Sequence, residues 1–495
     1  MVGHRKSDRV VVPEKRPNKS PEGAAEAVEE RTLTKGNTSG QAMPRTQSRP
    51  SGMPSGLARV REAASRDRAQ KFTALLHHVD EEALMRSFRS MNRRAAAGVD
   101  GETWRQIEGE AEARVKDLCT RIHRGNYRPK PVRRTYIPKA DGSERALGIA
   151  ALEDKIVQGA VVTVLSAIYE VDFLGLSYGF RPRRSQHDAL DALNAAIQTR
   201  KVNYILDADI RGYFDTIDHA VLMTILQERV GDPRMLRLLE RWLKAGVMED
   251  GQWMASEAGT PQGASISPLL ANIYLHHVLD KWTVEWRERA RGEVIMVRYA
   301  DDFIVGFQDE RDAKDYQAAL DARLREFGLE LHPEKTRLIE FGRFAHERRA
   351  RRGDPRPETF DFLGFTHICE KGTRGFWIKR VPAKKRIRAK LRELKQELRR
   401  RMHRPVPLVG AWLKSVLRGY FAYFAVPGAV DRLNKLRHVL GWLWYRTLRR
   451  RDQLRRLTWE RMRKIVETWL PVPEVMHPLP LDRFASRTRG RSPVR

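Results

Sequence analysis

The sequence predicts an α+β domain with a small antiparallel sheet, followed by an all-helical domain. Short apolar runs joined by turn-forming residues recur between residues 131 and 340, and amphipathic helical patterns alternate with them. After about residue 370 the strand patterns fade and only helical periodicity continues. Because a single core rarely grows beyond about 250–300 residues, a chain of 495 residues predicts two or three domains.

The N-terminal part predicts a disordered leader, then helices and one hairpin. Residues 1–60 are rich in Pro, Ser, Gly and charged residues and have few large apolar side chains, so we expect a disordered basic leader. Residues 131–150 predict two strands joined by an Asp-Gly turn, and residues 151–200 predict helices that flank the loop "SYGFRPRRSQHDAL". Before them, apolar residues recur with helical spacing at Phe72, Leu75, Leu76, Val79 and Leu84.

The central part predicts alternating strands and helices. "NYILDADI" has the apolar content of a buried strand, and "EVIMVRYADDFIVGF" has the pattern of strand, tight turn and strand. "SISPLLANIYLHHVLDKW" predicts a helix with Ser267 as its N-cap and Pro268 in its first turn. Another helix closes at Gly328, before "LELHPEKTRLIEF" returns to strand.

These patterns divide the chain into four regions. A disordered leader (1–60) precedes the α+β domain (61–370), and a helical domain (371–450) precedes a basic tail (451–495) that is a candidate DNA-binding region.

The charge balance predicts a polyanionic partner. The formal net charge is +30 and the pI is near 10.4, which favours nucleic acid over a ribosomal or membrane-surface role. Biased codon usage would also enrich arginine, but it would not explain clustering, and residues 384–404 form a dense basic cluster. Within it, Arg399, Arg400 and Arg401 are predicted to contact nucleic acid, with binding that weakens steeply as salt rises.

The cysteines and apolar runs limit the class of protein. Only Cys119 and Cys369 are present, so neither a disulfide framework nor a Cys-rich zinc module is available, and a reducing compartment is predicted. The N-terminus has no apolar targeting segment, and the longest apolar stretch is interrupted by Glu170 and Asp172. We expect a cytoplasmic protein with no membrane partner.

Paired acids raise the question of a metal site. Asp301 and Asp302 lie between two apolar runs, where they could form either a solvated turn or a metal site. Two-metal phosphoryl transfer needs carboxylates from separate chain segments that hold two ions about 3.5–4 Å apart. Asp207 and Asp209 end a predicted strand and share one of its faces. By contrast, the next acids along the chain, Asp215 and Asp218, are typical of the start of a helix.

Five motifs together carry a family resemblance. They are, in order, "DIRGYFDTIDH", "GTPQGASISPLLANIYL", "YADD", "HPEKT" and "FDFLGF", and as a set they resemble the reverse transcriptases encoded by bacterial group II introns. "GVDG" and "SYGFRPRRSQHDAL" are similar to elements typical of that group. The resemblance spans roughly residues 70–490. It implies a right-hand polymerase with fingers and palm, followed by a helical thumb that doubles as a maturase domain.

The resemblance also implies an activity and its partners. The expected function is an RNA-directed DNA polymerase that copies intron RNA into DNA and assists intron splicing, with intron RNA, a DNA primer or target and dNTPs as partners. Two alternatives remain open: the same polymerase in phage defence, diversity generation or DNA repair, and a splicing-only RNA-binding maturase. The chain ends "RFASRTRGRSPVR" with no Cys after Cys369, so we expect no His/Cys nuclease module. Nucleoid association would accompany DNA synthesis.

The resemblance implies a site for two Mg²⁺ ions. It assigns the metal to Asp209, Ile210, Asp301 and Asp302, with Asp209, Asp301 and Asp302 catalytic. Carboxylate oxygens are hard ligands that suit Mg²⁺, which keeps water and phosphate oxygens as its other ligands. Asp302 either shares the metals or only shapes the turn.

It further implies residues that bind the incoming nucleotide. Phe214 would lie under the sugar and exclude a 2′-hydroxyl, although a core aromatic is the alternative. Lys139 and Arg145 resemble a pair that grips the triphosphate, although a solvated basic hairpin would look the same.

The remaining implied contacts lie in two loops. Pro261, Gln262 and Gly263 resemble the loop that lines the nucleotide and template pocket, and a plain turn is the alternative. Ala264 and Ala146 depart from the family pattern, which puts fine pocket geometry in doubt. A further implied contact, Lys335, would approach the active site or primer strand unless it is a surface lysine.

Overall fold

The computed structural model describes residues 53–138, 144–255, 258–260, 263–372, 375–451 and 457–483. The strands, in chain order, are β1 (Val132–Pro138), β2 (Glu144–Ile149), β3 (Tyr204–Asp209), β4 (Val247–Glu249), β5 (Gln252–Met254), β6 (Val294–Tyr299), β7 (Asp302–Phe307), β8 (Arg337–Glu340), β9 (Phe360–Phe362), β10 (Phe365–Gly372) and β11 (Gly375–Pro382).

Helices surround these strands and form most of the C-terminal part. In chain order they are α1 (Ser55–Arg66), α2 (Glu81–Ser90), α3 (Trp104–Ile107), α4 (Ala111–His123), α5 (Leu152–Asp172), α6 (Gln186–Thr199), α7 (Tyr213–Thr216), α8 (His219–Arg229), α9 (Pro233–Leu243), α10 (Ser267–Leu275), α11 (Trp282–Arg287), α12 (Glu310–Glu326), α13 (Ala345–Arg352), α14 (Lys384–Arg400), α15 (Val406–Phe424), α16 (Val430–Arg451) and α17 (Trp459–Trp469). A π-helical turn, His276–Lys281, joins α10 to α11.

The strands form three sheets. The hairpin sheet has the order β2-β1-β4-β5, the central sheet β6-β7-β3-β8, and the C-terminal sheet β11-β10-β9. The predicted β1–β2 hairpin is confirmed, with Arg133 opposite Ile149, and its turn lies outside the described residues. All neighbours within the central sheet are antiparallel. The α+β prediction is therefore confirmed.

The central sheet separates two hydrophobic cores. Leu206 and Phe303 point into a core built with the N-terminal helices, whereas Ile205 and Ile304 point into a core shared with the C-terminal helices. Every residue of β6 and β7 is buried. A strand covered on both faces has a nearly continuous apolar sequence, which is the pattern of "VIMV" and "FIVGF".

Both predicted boundaries of the α+β domain (61–370) are wrong. Helix α1 begins at Ser55, inside the predicted leader (1–60), because Leu57 and Ala64 are buried against the core. The β10–β11 hairpin crosses residue 370, since Phe365 pairs with Pro382. Lys379 and Arg380 interrupt the apolar pattern of β11, so the sequence did not predict this strand.

The helical part also extends further than predicted. Its first helix starts at Lys384, and α17 lies within the region predicted as a basic tail. Met462 of α17 is fully buried, and Trp469 packs so closely on Gly410 that a Cβ atom there would lie 2.4 Å from the indole ring. An apolar stripe among arginines therefore makes this segment a packed helix.

Helix α10 differs from its prediction by one residue. Ser267 is the first helical residue and Ile266 is the N-cap, so the predicted capping role of Ser267 is wrong. The backbone N–H of Ser267 donates to the oxygen of Ala264, which winds the chain into a turn one residue earlier.

One buried carboxylate joins distant parts of the chain. Asp191 on α6 accepts from Arg380 on β11 at 2.9 Å, and also from Arg483. The sequence separations are 189 and 292 residues. Across the described ranges, no helix is long and apolar enough to cross a membrane.

Candidate active site

The structure brings the predicted acids together at one end of the central sheet. β3 and β7 pair so that Asp209 lies opposite Asp302, and a two-residue turn of Ala300 and Asp301 joins β6 to β7. Directly opposite residues of antiparallel strands have Cβ atoms about 4.5–5.5 Å apart on the same face. The end of one strand and an adjoining hairpin turn thus present acids from two chain segments.

The turn has an unusual backbone conformation. Ala300 has φ = 56°, in the left-handed region, and it is the first of the two turn residues. Positive φ at that position is typical of a type II′ hairpin, which usually has glycine there. A non-glycine residue in this region costs of order 1–3 kcal/mol, so the surrounding structure must hold it.

A buried polar network, which we call the turn frame, holds this hairpin. Its members are Arg298, Asp280 and Asn272. Arg298 donates to the oxygen of Ala300 and to Asn272 Oδ1, both at 2.9 Å, and forks onto both oxygens of Asp280 at 2.7 and 2.6 Å. Burial alone would raise the pKa of Asp280, but the guanidinium group lowers it below its usual value.

Sequence reasoning missed the turn frame. Arg298 and Asp280 are each 0% exposed, and their partners lie in separate elements. A charged residue inside the apolar strand "VIMVRY" was the available signal, because a strand covered on both faces can bury an arginine only with a partner.

A lysine lies among the acids. Lys335 Nζ donates to Asp209 Oδ2 at 2.8 Å, and the two side chains are 17% and 4% exposed. The loop that carries Lys335 is attached to β3, because the N–H of His332 donates to the oxygen of Asp209 at 2.8 Å. Lys335 therefore approaches the acid cluster, and the surface-lysine alternative is wrong.

The acids meet the chemical requirements of a divalent cation site. Asp209 Oδ1 is buried and accepts no hydrogen bond from any described residue, and Asp301 is only 5% exposed. In the part of the chain that the structure describes, no three His, Cys, Asp or Glu side chains converge enough to hold an ion alone. Mg²⁺ takes one or two protein carboxylates and completes its shell with water and phosphate oxygens, so the carboxylates of Asp209 and Asp301 are chemically suited to it. Ile210 is fully buried and apolar, so only its backbone oxygen is a suitable ligand.

The other acids of this region lie within a strand or at the start of a helix. Asp207 lies two residues inside β3, opposite Ile304, and its Oδ2 is 3.6 Å from a nitrogen of Arg337. The side chain of Asp218 accepts from Val221 N and caps α8, and Asp215 lies on α7. The prediction that Asp215 and Asp218 begin helices is confirmed.

Phe214 lies beside the loop that leads to Gly263. It is half-buried, and its backbone oxygen accepts from Thr260 N at 2.8 Å. Gly259 has φ = 84°, and a Cβ atom there would lie 2.8 Å from the same oxygen. The preceding Tyr213 is buried, and its hydroxyl donates to the oxygen of Ala271. Tyr213 is thus the core aromatic of the pair, and Phe214 keeps part of its surface accessible.

The loop at Gly263 touches the hairpin sheet. Gly263 has φ = 113°, and a Cβ atom there would lie 2.9 Å from the oxygen of Gly148 on β2. Arg145, opposite Ile137 on the same hairpin, is half-buried. The structure therefore brings Gly263 close to the strand that carries Arg145. The other predicted residues of these loops, Pro261, Gln262 and Lys139, lie outside the described residues.

The three nominated arginines differ in exposure. Arg399 and Arg400 are exposed at the end of α14. Arg401 is only 12% exposed, pairs with Glu397, and lies 4.5 Å over the ring of Trp412. Arg399 and Arg400 are therefore the more accessible of the three, and contact of all three with nucleic acid stays a prediction.

Comparisons with known proteins agree on one family. The model of "Reverse transcriptase (RNA-dependent DNA polymerase)" matches residues 137–367. Protein YkfC of Escherichia coli (strain K12) is 34% identical over an alignment of 276 positions, which covers 49% of this chain and 71% of that protein. Group II intron-encoded protein LtrA of Lactococcus lactis subsp. cremoris is 41% identical over 179 residues, or 36% of this chain and 29% of LtrA. The putative COX1/OXI3 intron 2 protein of Saccharomyces cerevisiae is 29% identical over 238 residues, or 25% of its length.

A small antiparallel sheet with carboxylates at one end, inside a matched reverse transcriptase region, defines an RNA-directed DNA polymerase. More narrowly, the chain belongs to the family of group II intron reverse transcriptases and maturases.

Proposed function

We propose that this enzyme extends a DNA primer along an RNA template with two Mg²⁺ ions held by Asp209 and Asp301, with Asp302 beside them. The observation that carries the proposal is the convergence of these acids at the end of the central sheet, with Asp209 Oδ1 buried and without a hydrogen bond from the described residues. In this arrangement the central sheet corresponds to the palm, the hairpin sheet to the fingers, and the C-terminal helices to the thumb.

The metal ions, when bound, would lower the pKa of the primer 3′-hydroxyl and stabilise the pyrophosphate leaving group. The carboxylates of Asp209 and Asp301 would hold them at the strand ends. Lys335 would give up its hydrogen bond to Asp209 Oδ2 as that oxygen becomes a ligand, and its ammonium group would remain close to the reacting phosphates. The turn frame would keep Asp301 in position throughout.

Two residues are placed to bind the nucleotide. Arg145 has a guanidinium group suited to bidentate phosphate contacts, and its strand touches the Gly263 loop. Phe214 follows Asp209 by five residues and keeps part of its ring accessible, so it would lie under the sugar and disfavour a 2′-hydroxyl. Lys139, Pro261 and Gln262 complete this proposed pocket by their position in the sequence.

We also propose that the RNA partner is the intron that encodes the chain, and that this RNA serves as both template and splicing substrate. Support comes from family membership, the net charge of +30 and the exposed Arg399 and Arg400. Trp442 adds an aromatic surface, because it is 44% exposed and stacks on Trp459 with a centroid distance of 4.6 Å. Arginine side chains and exposed aromatic rings both occur on surfaces that bind unpaired bases.

Primer extension tests the catalytic assignment. With an RNA template, a DNA primer, dNTPs and Mg²⁺, the wild-type enzyme should extend the primer, and Asp209→Ala or Asp301→Ala should abolish extension. Asp117→Ala is the matched control, because Asp117 is an exposed acid of α4 that pairs only with a helical neighbour, and it should keep normal activity. Wild-type extension by Asp301→Ala would refute the site.

Intron RNA binding tests the second assignment. Replacing Arg399 and Arg400 together by Ala should weaken binding and reduce its dependence on salt, because phosphate contacts release counterions. Replacing the exposed Arg66 and Arg68 provides a control of equal charge loss far from α14 in the chain. Equal weakening by both pairs would show non-specific charge attraction and contradict an RNA-binding end of α14.

A further inference from the structure

Residues 176–179, which precede Phe180, run alongside strand β6 of the β6–β7 hairpin. Ser177 forms a parallel bridge with Arg298 on the outer edge of β6. The N–H of Tyr178 donates to the oxygen of Arg298 at 2.8 Å, and the N–H of Arg298 donates to the oxygen of Leu176 at 2.9 Å. The two chains run parallel here, so Gly179 falls beside Ala300 at the start of the hairpin turn, and Phe180 is the next residue along.

Two contacts fix this alignment. A Cβ atom added at Gly179 would lie 2.3 Å from the backbone nitrogen of Ala300, so only glycine permits the approach. Asn272 Nδ2 donates to the oxygen of Gly179 at 2.7 Å, while its Oδ1 accepts from Arg298. The turn frame therefore holds both the hairpin turn and the segment beside it.

Phe180 is strained and exposed where this segment meets the turn. Its φ is 55°, which is a genuine outlier for a bulky side chain, and the residue is 40% exposed. Tyr178 and Gly179 before it are buried. Folding alone does not require a phenyl ring in solvent on a strained backbone, and such strain is typical of ligand-binding sites.

The sheet order indicates which substrate meets this ring. Asp209 and the residues leading to Phe214 lie on the β3 side of the β6–β7 hairpin, and the segment 176–180 lies on the β6 side. In an in-line displacement, the attacking oxygen and the leaving pyrophosphate lie on opposite sides of the reacting phosphorus. With the nucleotide on the β3 side, the primer end approaches from the β6 side.

We propose that Phe180 is a binding residue for the 3′-terminal nucleotide of the primer, with its ring packed against the terminal deoxyribose. Packing against the sugar leaves the terminal base pair free to stack on the next nucleotide. This inference rests on the proposed polymerase function. Its ligand is a nucleic-acid 3′ end, and the buried turn frame holds Gly179, the residue before Phe180, against the turn that carries Asp301.

Photo-crosslinking tests the contact without catalysis. Phe180→p-benzoylphenylalanine, bound to primer–template without dNTPs, should crosslink to the last nucleotide of the primer strand. Phe344→p-benzoylphenylalanine is the control, because Phe344 is a similarly exposed phenylalanine, 47% against 40%, outside the site, and it should not crosslink there. Crosslinking to the template strand, or to neither strand, would overturn the proposal.

Steady-state kinetics test its energetic effect. Phe180 is 40% exposed, and covering that surface with the primer predicts that Phe180→Ala raises the KM for primer–template roughly three- to tenfold, with the KM for dNTPs unchanged. Phe180→Tyr should restore the wild-type value and Phe344→Ala should match it. A raised KM for dNTPs, or no effect of Phe180→Ala, would overturn the assignment. An enzyme that crosslinks at the primer end but extends no primer would instead refute the proposed polymerase function.

Discussion

Replacing Arg298 by Met should strongly destabilise the protein, because this side chain completes the turn frame. The substitution keeps a side chain of similar length but removes every hydrogen bond that Arg298 makes to Asp280, Asn272 and Ala300. It leaves a carboxylate at 0% exposure without its cation.

The magnitude follows from the groups left behind. An uncompensated buried charge at Asp280 costs about 3–5 kcal/mol. The oxygens of Ala300 and Asn272 each lose a buried donor, at about 1–3 kcal/mol each. Against the roughly 5–15 kcal/mol that stabilises a typical folded protein, this loss is a large fraction of the total.

Urea unfolding followed by circular dichroism measures this loss, and a second substitution separates its parts. Arg298→Met combined with Asp280→Leu removes both charges and should recover about 3–5 kcal/mol, because a buried ion pair replaced by apolar groups is close to neutral. Primer extension should stay impaired, since the oxygen of Ala300 still lacks its donor. Arg325→Met is the control: that arginine is 70% exposed, so its pair with Asp321 contributes at most about 1 kcal/mol.

Two results would refute this reasoning. One is an Arg298→Met protein as stable as Arg325→Met. The other is a double variant as unstable as the single one, which would show that the buried charge of Asp280 is not the main cost.

Three further predictions follow from other parts of the structure. Lys335→Met should lower Tm without Mg²⁺ and enlarge the rise in Tm on adding Mg²⁺, because the ammonium group neutralises Asp209; equal rises in both proteins would contradict this. Phe214→Val should increase incorporation of ribonucleotides in primer extension, and unchanged selectivity would argue against a role under the sugar. Burial raises the pKa of Asp154 from 3.8 to about 6, so the folded state keeps a proton that the unfolded state releases. Stability should therefore fall by roughly 2 kcal/mol between pH 4 and pH 6, and Asp154→Asn should remove that part of the decline in urea unfolding.

Local signals allowed the sequence to predict much of the fold. The β1–β2 and β6–β7 hairpins were predictable because turn residues lie between apolar runs, and both properties are local. The β10–β11 hairpin was not, because Lys379 and Arg380 interrupt its apolar pattern, and Arg380 is buried only through its contact with distant Asp191. Helix α17 was not predicted for the same reason, because its arginines interrupt its apolar pattern.

The candidate site likewise contains residues that local sequence motifs predicted and residues that they did not. Asp209 and Asp301 were predictable from short motifs, and the structure brings their chain segments together. Arg298, Asp280 and Asn272 were not, because their burial depends on how β6 packs against α10 and the π-helical turn that follows it. Their chemistry arises only after the chain has folded. Lys335 was only partly predictable, because the sequence contains its motif but does not reveal its contact with Asp209.

The two arginines that meet at Asp191 bear on how the chain matures during synthesis. A carboxylate on α6, 2% exposed in the finished protein, remains incomplete until β11 has been translated, and it gains its second arginine only when residue 483 has left the ribosome. Contacts across 189 and 292 residues form late because long loops must close first. A nascent chain stalled before that point would hold its central sheet with an unfinished ion pair, and would be exposed to aggregation and proteolysis for longest.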